Sequence, residues 1–145
     1  MVATSTQSAL KNLRDKLAAM GGVSAIVIGE PKKAVQSGLV AVLSETGRID
    51  ELVLNGPREI HEVTLRRHEN ALQGTEEDIE FRLDTWRAEI LQDLWGDFDL
   101  GGTVAHLLPA SMNWAYGYVT IENTLYRFLD ITVVFRIDPS ATFSP

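Results

Sequence analysis

Histidine is the strongest metal-binding residue type in this chain of 145 residues, and His61 has the most suggestive neighbours. His61-Glu62 begins like the His-Glu-x-x-His motif of zinc proteases, in which two histidines four residues apart hold the metal. Leu65 stands where the second histidine is required. His68 does not replace it, because side chains seven positions apart on a strand lie on opposite faces, more than about 20 Å from each other. The sequence therefore predicts no metal site.

His106 lies alone within the apolar run of residues 103–108. A lone histidine is more often a hydrogen-bonded packing residue than a catalytic base. A serine nucleophile is also unsupported, since the sequence has no Gly-x-Ser-x-Gly elbow, and the chain has no cysteine. We therefore predict no catalytic residues. The open alternative is a small enzyme or ligand-binding domain that uses His106 with carboxylates beneath a sheet.

Two glycine-containing segments and one acidic run resemble ligand sites. Residues 29–33 and 101–102 lack the glycine spacing of nucleotide-binding loops. The acidic run at residues 76–80 lies at the start of a predicted helix, where it compensates the helix dipole. The sequence therefore predicts no cofactor and no bound divalent ion.

Trp114, Tyr116 and Tyr118 alternate along a predicted strand and place three aromatic rings on one face. Rings in this arrangement can stack nucleotide bases, but these lack the interleaved basic residues of sheet-based RNA binders. The net charge of -7 and the pI of about 4.9 also disfavour a protein that grips nucleic acid. We expect the three rings in the core or at a subunit interface.

Two amphipathic helices are predicted to position these residues. The first carries leucines at three- and four-residue spacing and ends at Gly21-Gly22. The second covers residues 75–94, with Thr75 as its capping residue and acidic residues in its first turn. Its apolar stripe comprises Ile79, Leu83, Trp86, Ile90 and Leu94.

Strands are predicted over residues 23–28, 39–43, 60–68, 113–121 and 125–137. The last two form a hairpin around Glu122-Asn123-Thr124. Residues 44–58 carry turn formers at positions 45–47 and 55–57, so we predict a long hairpin-like excursion there. Because hairpin connections predominate, the sequence predicts an α+β fold, a mostly antiparallel β-sheet with two main helices packed on one face.

The length and composition fit one domain that spans residues 1–145. A hydrophobic fraction of 45% and a charged fraction of 23% are near the averages of globular proteins. The start of the chain lacks the pattern of a signal peptide, and no apolar stretch reaches membrane-spanning length. We therefore expect folding in the cytoplasm and no membrane partner. Residues 1–8 and 138–145 are predicted to be flexible tails.

The order of these elements resembles that of the tail terminator, or tail completion, proteins of long-tailed bacteriophages and related contractile or gene-transfer particles. The likeness spans most of the chain and rests on short local motifs. They are Ala9-Leu10-Lys11-Asn12-Leu13 before the strand at 23–28, Gly29-Glu30-Pro31, the strand at 59–65, the long capped helix and Asp99-Leu100-Gly101-Gly102-Thr103-Val104.

The resemblance implies a subunit that forms a homo-oligomeric ring, usually of six copies. Such a ring binds the last ring of tail-tube protein, ends tube polymerisation and offers a surface to the head connector or stopper protein. It implies a virion protein of the tail and neck, assembled in the host cytoplasm, with DNA passing through the lumen without specific binding. It implies no cofactor and no catalytic residue. A head-completion or stopper protein of the neck, similar in size and also ring-forming, is the alternative within the virion.

Exposed loops on a rigid sheet commonly carry recognition, so contact surfaces are predicted at residues 30–37 and 44–58. Basic residues of the strand at 60–68 are predicted as salt-bridge partners at an interface. The candidate interface residues are Glu30, Lys32, Lys33, Glu45, Arg48, Asp50, Arg58, Arg66 and Arg67.

Overall fold

The computed structural model describes residues 5–54, 56–97, 99–102 and 104–139, without the side chains of residues 5, 6, 44 and 45. Helix α1 spans Ser5–Ala18 and helix α2 spans Glu76–Trp95, which confirms both predicted helices. Helix α1 begins at Ser5, within the segment 1–8 that was predicted as a flexible tail. The rest of that segment, and residues 140–145, lie outside the described residues.

Helix α2 begins as its sequence predicts. The Thr75 hydroxyl accepts a hydrogen bond from the backbone N–H of Asp78 at 3.1 Å, which satisfies one of the free donors of the first turn. Glu76 and Glu77 stand in the same turn, where negative charge compensates the helix dipole. Gly96 ends the helix, with its N–H bonded to the Gln92 carbonyl at 3.1 Å.

Six strands form one sheet in which β1 and β2 are parallel and every other pair is antiparallel. In spatial order β1 is followed by β2, β3 and β6, and β4 and β5 both pair with the far side of β6. The predicted α+β class with a mostly antiparallel sheet is therefore confirmed. The strands are β1 (Ala25–Ile28), β2 (Leu39–Val53), β3 (Gly56–Asn70), β4 (His106–Leu107), β5 (Asn113–Ile121) and β6 (Thr124–Ile137).

Both helices pack on one face of the sheet, as predicted, and the core lies between them and β2, β3 and β6. The five stripe residues of α2 are all buried. Beneath them, alternate residues of the central strands point inward, which is the period expected of a half-buried sheet. The inward residues include Val40, Val42, Val63, Leu65, Leu129, Ile131, Val133 and Phe135.

The β2–β3 hairpin is longer and more regular than predicted. Residues 45–47 were predicted as a turn, but β2 continues through them to Val53 and stays paired with β3. A register shift between Val42 and Glu45 absorbs the local irregularity. The pairing of β3 with β6 stops at Glu59, opposite Ile137, so the ladder continues beyond that point with two strands, beside which lie Asp138 and Pro139.

The β5–β6 hairpin follows its prediction closely. Its two-residue turn is formed by Glu122 and Asn123, whose φ angles of 48° and 63° are both positive. This is the backbone of a type I′ turn, which matches the twist of paired strands. Strand β4 was not predicted, because two residues carry no periodicity of their own.

Candidate protein interface

The end of the β2–β3 hairpin projects from the sheet and exposes aliphatic side chains. We call residues 49–58 the hairpin arm. Ile49 is 63% exposed, Leu52 78% and Leu54 100%. Soluble monomers rarely leave a contiguous apolar surface in water, and such a surface commonly marks a site of protein association. The arm therefore has the properties of an unpartnered contact surface.

The charged residues of the arm form ion pairs within the subunit. Arg48 lies 3.4 Å from Asp50, and Arg58 contacts both Glu51 and Asp138, the latter at 3.1 Å. Exposed pairs of this kind contribute little stability, so their groups can exchange partners when another surface approaches. Arg48, directly before the arm, and Asp50 and Arg58 within it are three of the predicted interface residues. The Glu45 side chain lies outside the described residues.

An apolar groove of about 530 Å³ opens beside the carboxyl end of α2. Its walls come from three elements that are distant in sequence, namely α2, the segment around β4 and the start of β5. Trp95 is 77% exposed at the groove although it is a large aromatic residue. The groove is lined by Leu91, Trp95, Leu107, Pro109, Met112 and Trp114, together with Leu94 and His106. It is a second exposed apolar surface of this subunit.

The aromatic rings of β5 lie at the edge of the helix-covered face and are only partly in the core. Tyr116 packs against the core, whereas Trp114 is 47% and Tyr118 56% exposed. Basic residues absent from the local sequence reach these rings from other elements. The Arg87 guanidinium carbon lies 4.8 Å from the Trp114 ring centre, and that of Arg127 lies 4.6 Å from the centre of Tyr118.

Each of these arginines is paired with a carboxylate of α2. Arg87 bonds Asp84 at 2.7 Å, and Arg127 bonds Glu80 at 2.6 Å. The hydrogen bond from Arg87, and its positive charge, lower the pKa of Asp84. Because the pairs neutralise the cations, the rings do not form part of a basic surface that would attract a phosphate backbone.

A charge network on the opposite face of the sheet engages two more candidate residues. Arg66 donates two hydrogen bonds to Asp130, at 2.7 and 2.9 Å, and one to Glu30 at 3.2 Å. Its guanidinium lies 3.8 Å above the ring of Phe128. The hydrogen bonds to Asp130 raise the pKa of Arg66, against the opposing effect of its partial burial. Glu30 also lies 3.1 Å from Nε2 of His68.

This network and one tyrosine hold the segment that connects β1 to β2. We call residues 29–38 the crossover loop. The buried Tyr126 hydroxyl donates to the Val35 carbonyl at 2.9 Å and accepts the Val35 N–H at 2.8 Å. Lys32 and Lys33 are exposed on this loop. The predicted contact loop is therefore anchored at both its start and its middle, with its two lysines facing solvent.

Arg67 does not reach the surface that its predicted interface role requires. Its side chain is buried beneath α2, 3.2 Å from the buried carboxylate of Glu69. The guanidinium also donates to the Gly22 carbonyl at 3.3 Å and lies 5.8 Å from the ring centre of Trp86. The sequence pattern could have indicated this burial, because Arg67 lies on the same face of the strand as the inward residues Val63 and Leu65.

The three histidines lie in three different environments. His61 stacks on Phe135 on the helix-covered face, with ring centres 5.5 Å apart, whereas His68 lies on the other face of the same strand. His106 is at the apolar groove. Among the described residues, no three histidine, aspartate or glutamate side chains are placed to hold one metal ion. In the same part of the chain, neither helix has the length and apolar character needed to cross a membrane.

A comparison of the chain with protein-family models gives no match, and a comparison with curated protein sequences gives none either.

Proposed function

We propose that this protein is a structural subunit that assembles into a ring at the head-proximal end of a phage tail tube. There it ends tube polymerisation and joins the tail to the head connector. The observation that carries the proposal is the hairpin arm, because it exposes Ile49, Leu52 and Leu54 on a two-stranded extension that the isolated subunit does not bury. The order of elements, which resembles that of tail terminators, supports the choice of particle.

The charge of the subunit suits a ring through which DNA passes. A net charge of -7 opposes attachment to phosphate groups, so DNA can slide through a lumen formed by such subunits. The arginines that lie against exposed rings, Arg87 and Arg127, are already paired with carboxylates. The subunit is therefore proposed to contact DNA without specific binding.

The apolar groove favours a second candidate function, that of a ligand-binding domain. Its volume is within the range of small-molecule sites. Among the described residues that line it, His106 is the one titratable side chain, so the groove itself supplies no acid and base pair for catalysis. We therefore favour assembly and treat ligand binding as an outcome that the experiments can reveal.

Assembly is tested by measuring the mass of the purified chain over a range of concentrations, alone and with tail-tube protein. We expect a ring-sized species, and tail tubes that stop growing when the protein is added during their polymerisation. Leu52→Glu/Leu54→Glu should remove both effects and leave the circular dichroism spectrum unchanged. Leu72→Glu is the matched control, since Leu72 is 82% exposed but lies outside the arm.

Three results would contradict the proposal or redirect it. A chain that stays monomeric at every concentration, even with tail-tube protein present, contradicts ring assembly. A ring that binds the head connector but not the tail-tube protein supports the head-completion or stopper alternative. Tight binding of a small apolar molecule by a strictly monomeric chain supports the ligand-binding candidate.

A further inference from the structure

We propose that the hairpin arm of one copy seats in the apolar groove of the next copy, so that subunits join head to tail. This inference rests on the proposed ring assembly and specifies the contact that builds the ring. It joins two exposed apolar surfaces, one projecting and one concave, that lie on different parts of the same subunit.

The arm does not occupy the groove of its own subunit in this structure. The groove lies beyond β6, beside β4 and β5, whereas the arm extends β2 and β3 along the strand direction. The two strands of the arm stay paired up to Val53 and Gly56, with one register shift between Ile49 and Glu51, so the arm extends beyond the last β3–β6 pair at Glu59. At about 3.4 Å per residue, Leu54 stands roughly 17 Å beyond that pair. Because β6 lies between the arm and the groove, we infer that the arm enters the groove of another chain.

The chemistry of the two surfaces is complementary. Leu52 and Leu54 are exposed aliphatic side chains that project from the arm. The groove of about 530 Å³ is lined in part by methionine and tryptophan side chains that they could contact. Methionine adapts its shape to an incoming group, and tryptophan is enriched at protein interfaces. A projecting two-stranded arm with exposed aliphatic side chains is more complementary in shape to a groove than to a flat surface.

The charges beside the two surfaces do not oppose docking, because those next to each surface are already paired within the subunit. Asp50 and Glu51 directly precede Leu52 on the arm. Arg87 lies on the ring of Trp114 at the groove, and His106 is part of the groove wall. The described residues that line the groove include no carboxylate that would repel the arm. Docking would therefore place the acidic residues of the arm against a groove that is lined without carboxylates, while Arg87 keeps its pair with Asp84.

The area of the contact indicates a closed ring instead of a stable pair. Three aliphatic side chains bury on the order of 100 Å² each, well below the roughly 800 Å² per partner of a standard interface. One arm in one groove is therefore a weak contact. In a closed ring every subunit gives one arm and receives another, and the final contact forms within an already linked assembly. The proposed contact thus favours rings over free dimers.

The experiment uses cysteine crosslinking. Because the natural chain contains no cysteine, disulfides can form only between the introduced residues. Leu54→Cys places a thiol on the arm and Met112→Cys places one in the groove. Under mild oxidation the double variant should give a ladder of covalent multimers up to the size of the ring. A mixture of the two single variants should give a covalent dimer that contains one of each. The matched control combines Leu54→Cys with Leu72→Cys and should give no ladder.

The outcomes separate this inference from the ring proposal. Assembly of the double variant into rings without the arm-to-groove link overturns the inference and leaves ring assembly standing. An equally efficient link between positions 54 and 72, or links between two copies of position 54 in place of those to position 112, also overturns it. A chain that neither assembles nor crosslinks at any concentration overturns both proposals.

Discussion

Arg67 and Glu69 are buried together between the sheet and helix α2, with a guanidinium nitrogen 3.2 Å from a carboxylate oxygen. They stand two positions apart on β3 and therefore on the same face of the strand. Arg82 of α2 donates a second hydrogen bond to Glu69 at 3.1 Å. Glu69 thus links the sheet to the helix through two cations, within a face that is mostly apolar.

Glu69→Ala should destabilise the subunit by about 3–5 kcal/mol, because it leaves the buried Arg67 without its carboxylate. The double variant Arg67→Met/Glu69→Leu should lose less stability, since it removes both charges and fills the space with apolar groups. Urea unfolding followed by circular dichroism measures both losses. Equal losses in the two variants would show that packing, and not the unpaired charge, sets the penalty.

Trp86→Ala should destabilise the subunit by about 3–5 kcal/mol, because Trp86 is fully buried in the stripe of α2 and its removal leaves a cavity. Trp95→Ala is the matched control on the same helix, as Trp95 is mostly exposed. It should change the unfolding midpoint little. Similar losses for the two tryptophans would contradict the position of α2 on the sheet.

Lowering the pH should reduce the free energy of unfolding, because it protonates Asp97. Asp97 pairs with Lys16 at 2.9 Å and accepts the Gly101 N–H at 2.9 Å, and these interactions lower the pKa of Asp97. A lowered carboxyl pKa gives stability that is fully present above the unfolded-state value of about 3.9 and is lost as the pH falls through the folded-state pKa. Asp97→Asn should therefore reduce the difference in unfolding free energy between neutral and strongly acidic solution.

Asp93→Asn is the control for this measurement. Asp93 contacts the same lysine at 3.5 Å but is more exposed, so its replacement should alter stability little at either pH. An Asp97→Asn variant with the acid sensitivity of the natural chain would contradict the proposed role of this carboxylate.

Tyr126→Phe should loosen the crossover loop. The variant removes both hydrogen bonds to Val35 and leaves polar groups without partners, a loss of about 1–3 kcal/mol. Amide exchange in residues 30–38 and tryptic cleavage after Lys32 and Lys33 should both become faster. Tyr118→Phe alters an exposed hydroxyl and serves as the control. Unchanged exchange in the loop would mean that the charge network alone anchors it.

Charge reversal of Lys32 and Lys33 to glutamate should weaken assembly without lowering the unfolding midpoint, because both side chains are exposed. Lys11→Glu/Arg14→Glu reverses two exposed cations on α1 and is the control, because it changes the net charge by the same amount. Ring formation is measured by mass at several salt concentrations, since exposed charge contacts weaken as salt rises. If the variant forms rings at the same concentration as the natural chain, the two lysines have no role in assembly.

Periodic elements were predictable from the sequence alone. The α2 stripe from Ile79 to Leu94 repeats every three or four residues between a capping threonine and a glycine, and each signal agrees with the others. The β5–β6 hairpin combines strand alternation with the Glu122-Asn123 turn. In both places local chemistry and tertiary packing favour the same structure.

Features built from distant segments were not predictable in the same way. The turn formers at residues 45–47 remain in a strand because β3 supplies a continuous partner, and no local signal reports that pairing. The apolar groove joins α2 to β4 and β5, so only the three-dimensional fold reveals it. Trp114 and Tyr118 were expected in the core or at an interface, and their exposure excludes the core.

The central position of β6 also sets the order in which the subunit can be made. Strand β6 is formed by residues 124–137, yet it pairs with β3, β4 and β5 and carries the inward face that α2 covers. During synthesis the β2–β3 hairpin can form early, because its contacts are local, but the sheet cannot close until residue 137 has left the ribosome. Until then the aliphatic arm and the unfinished core are exposed together. Nascent chains are therefore most prone to aggregation in the interval before β6 emerges.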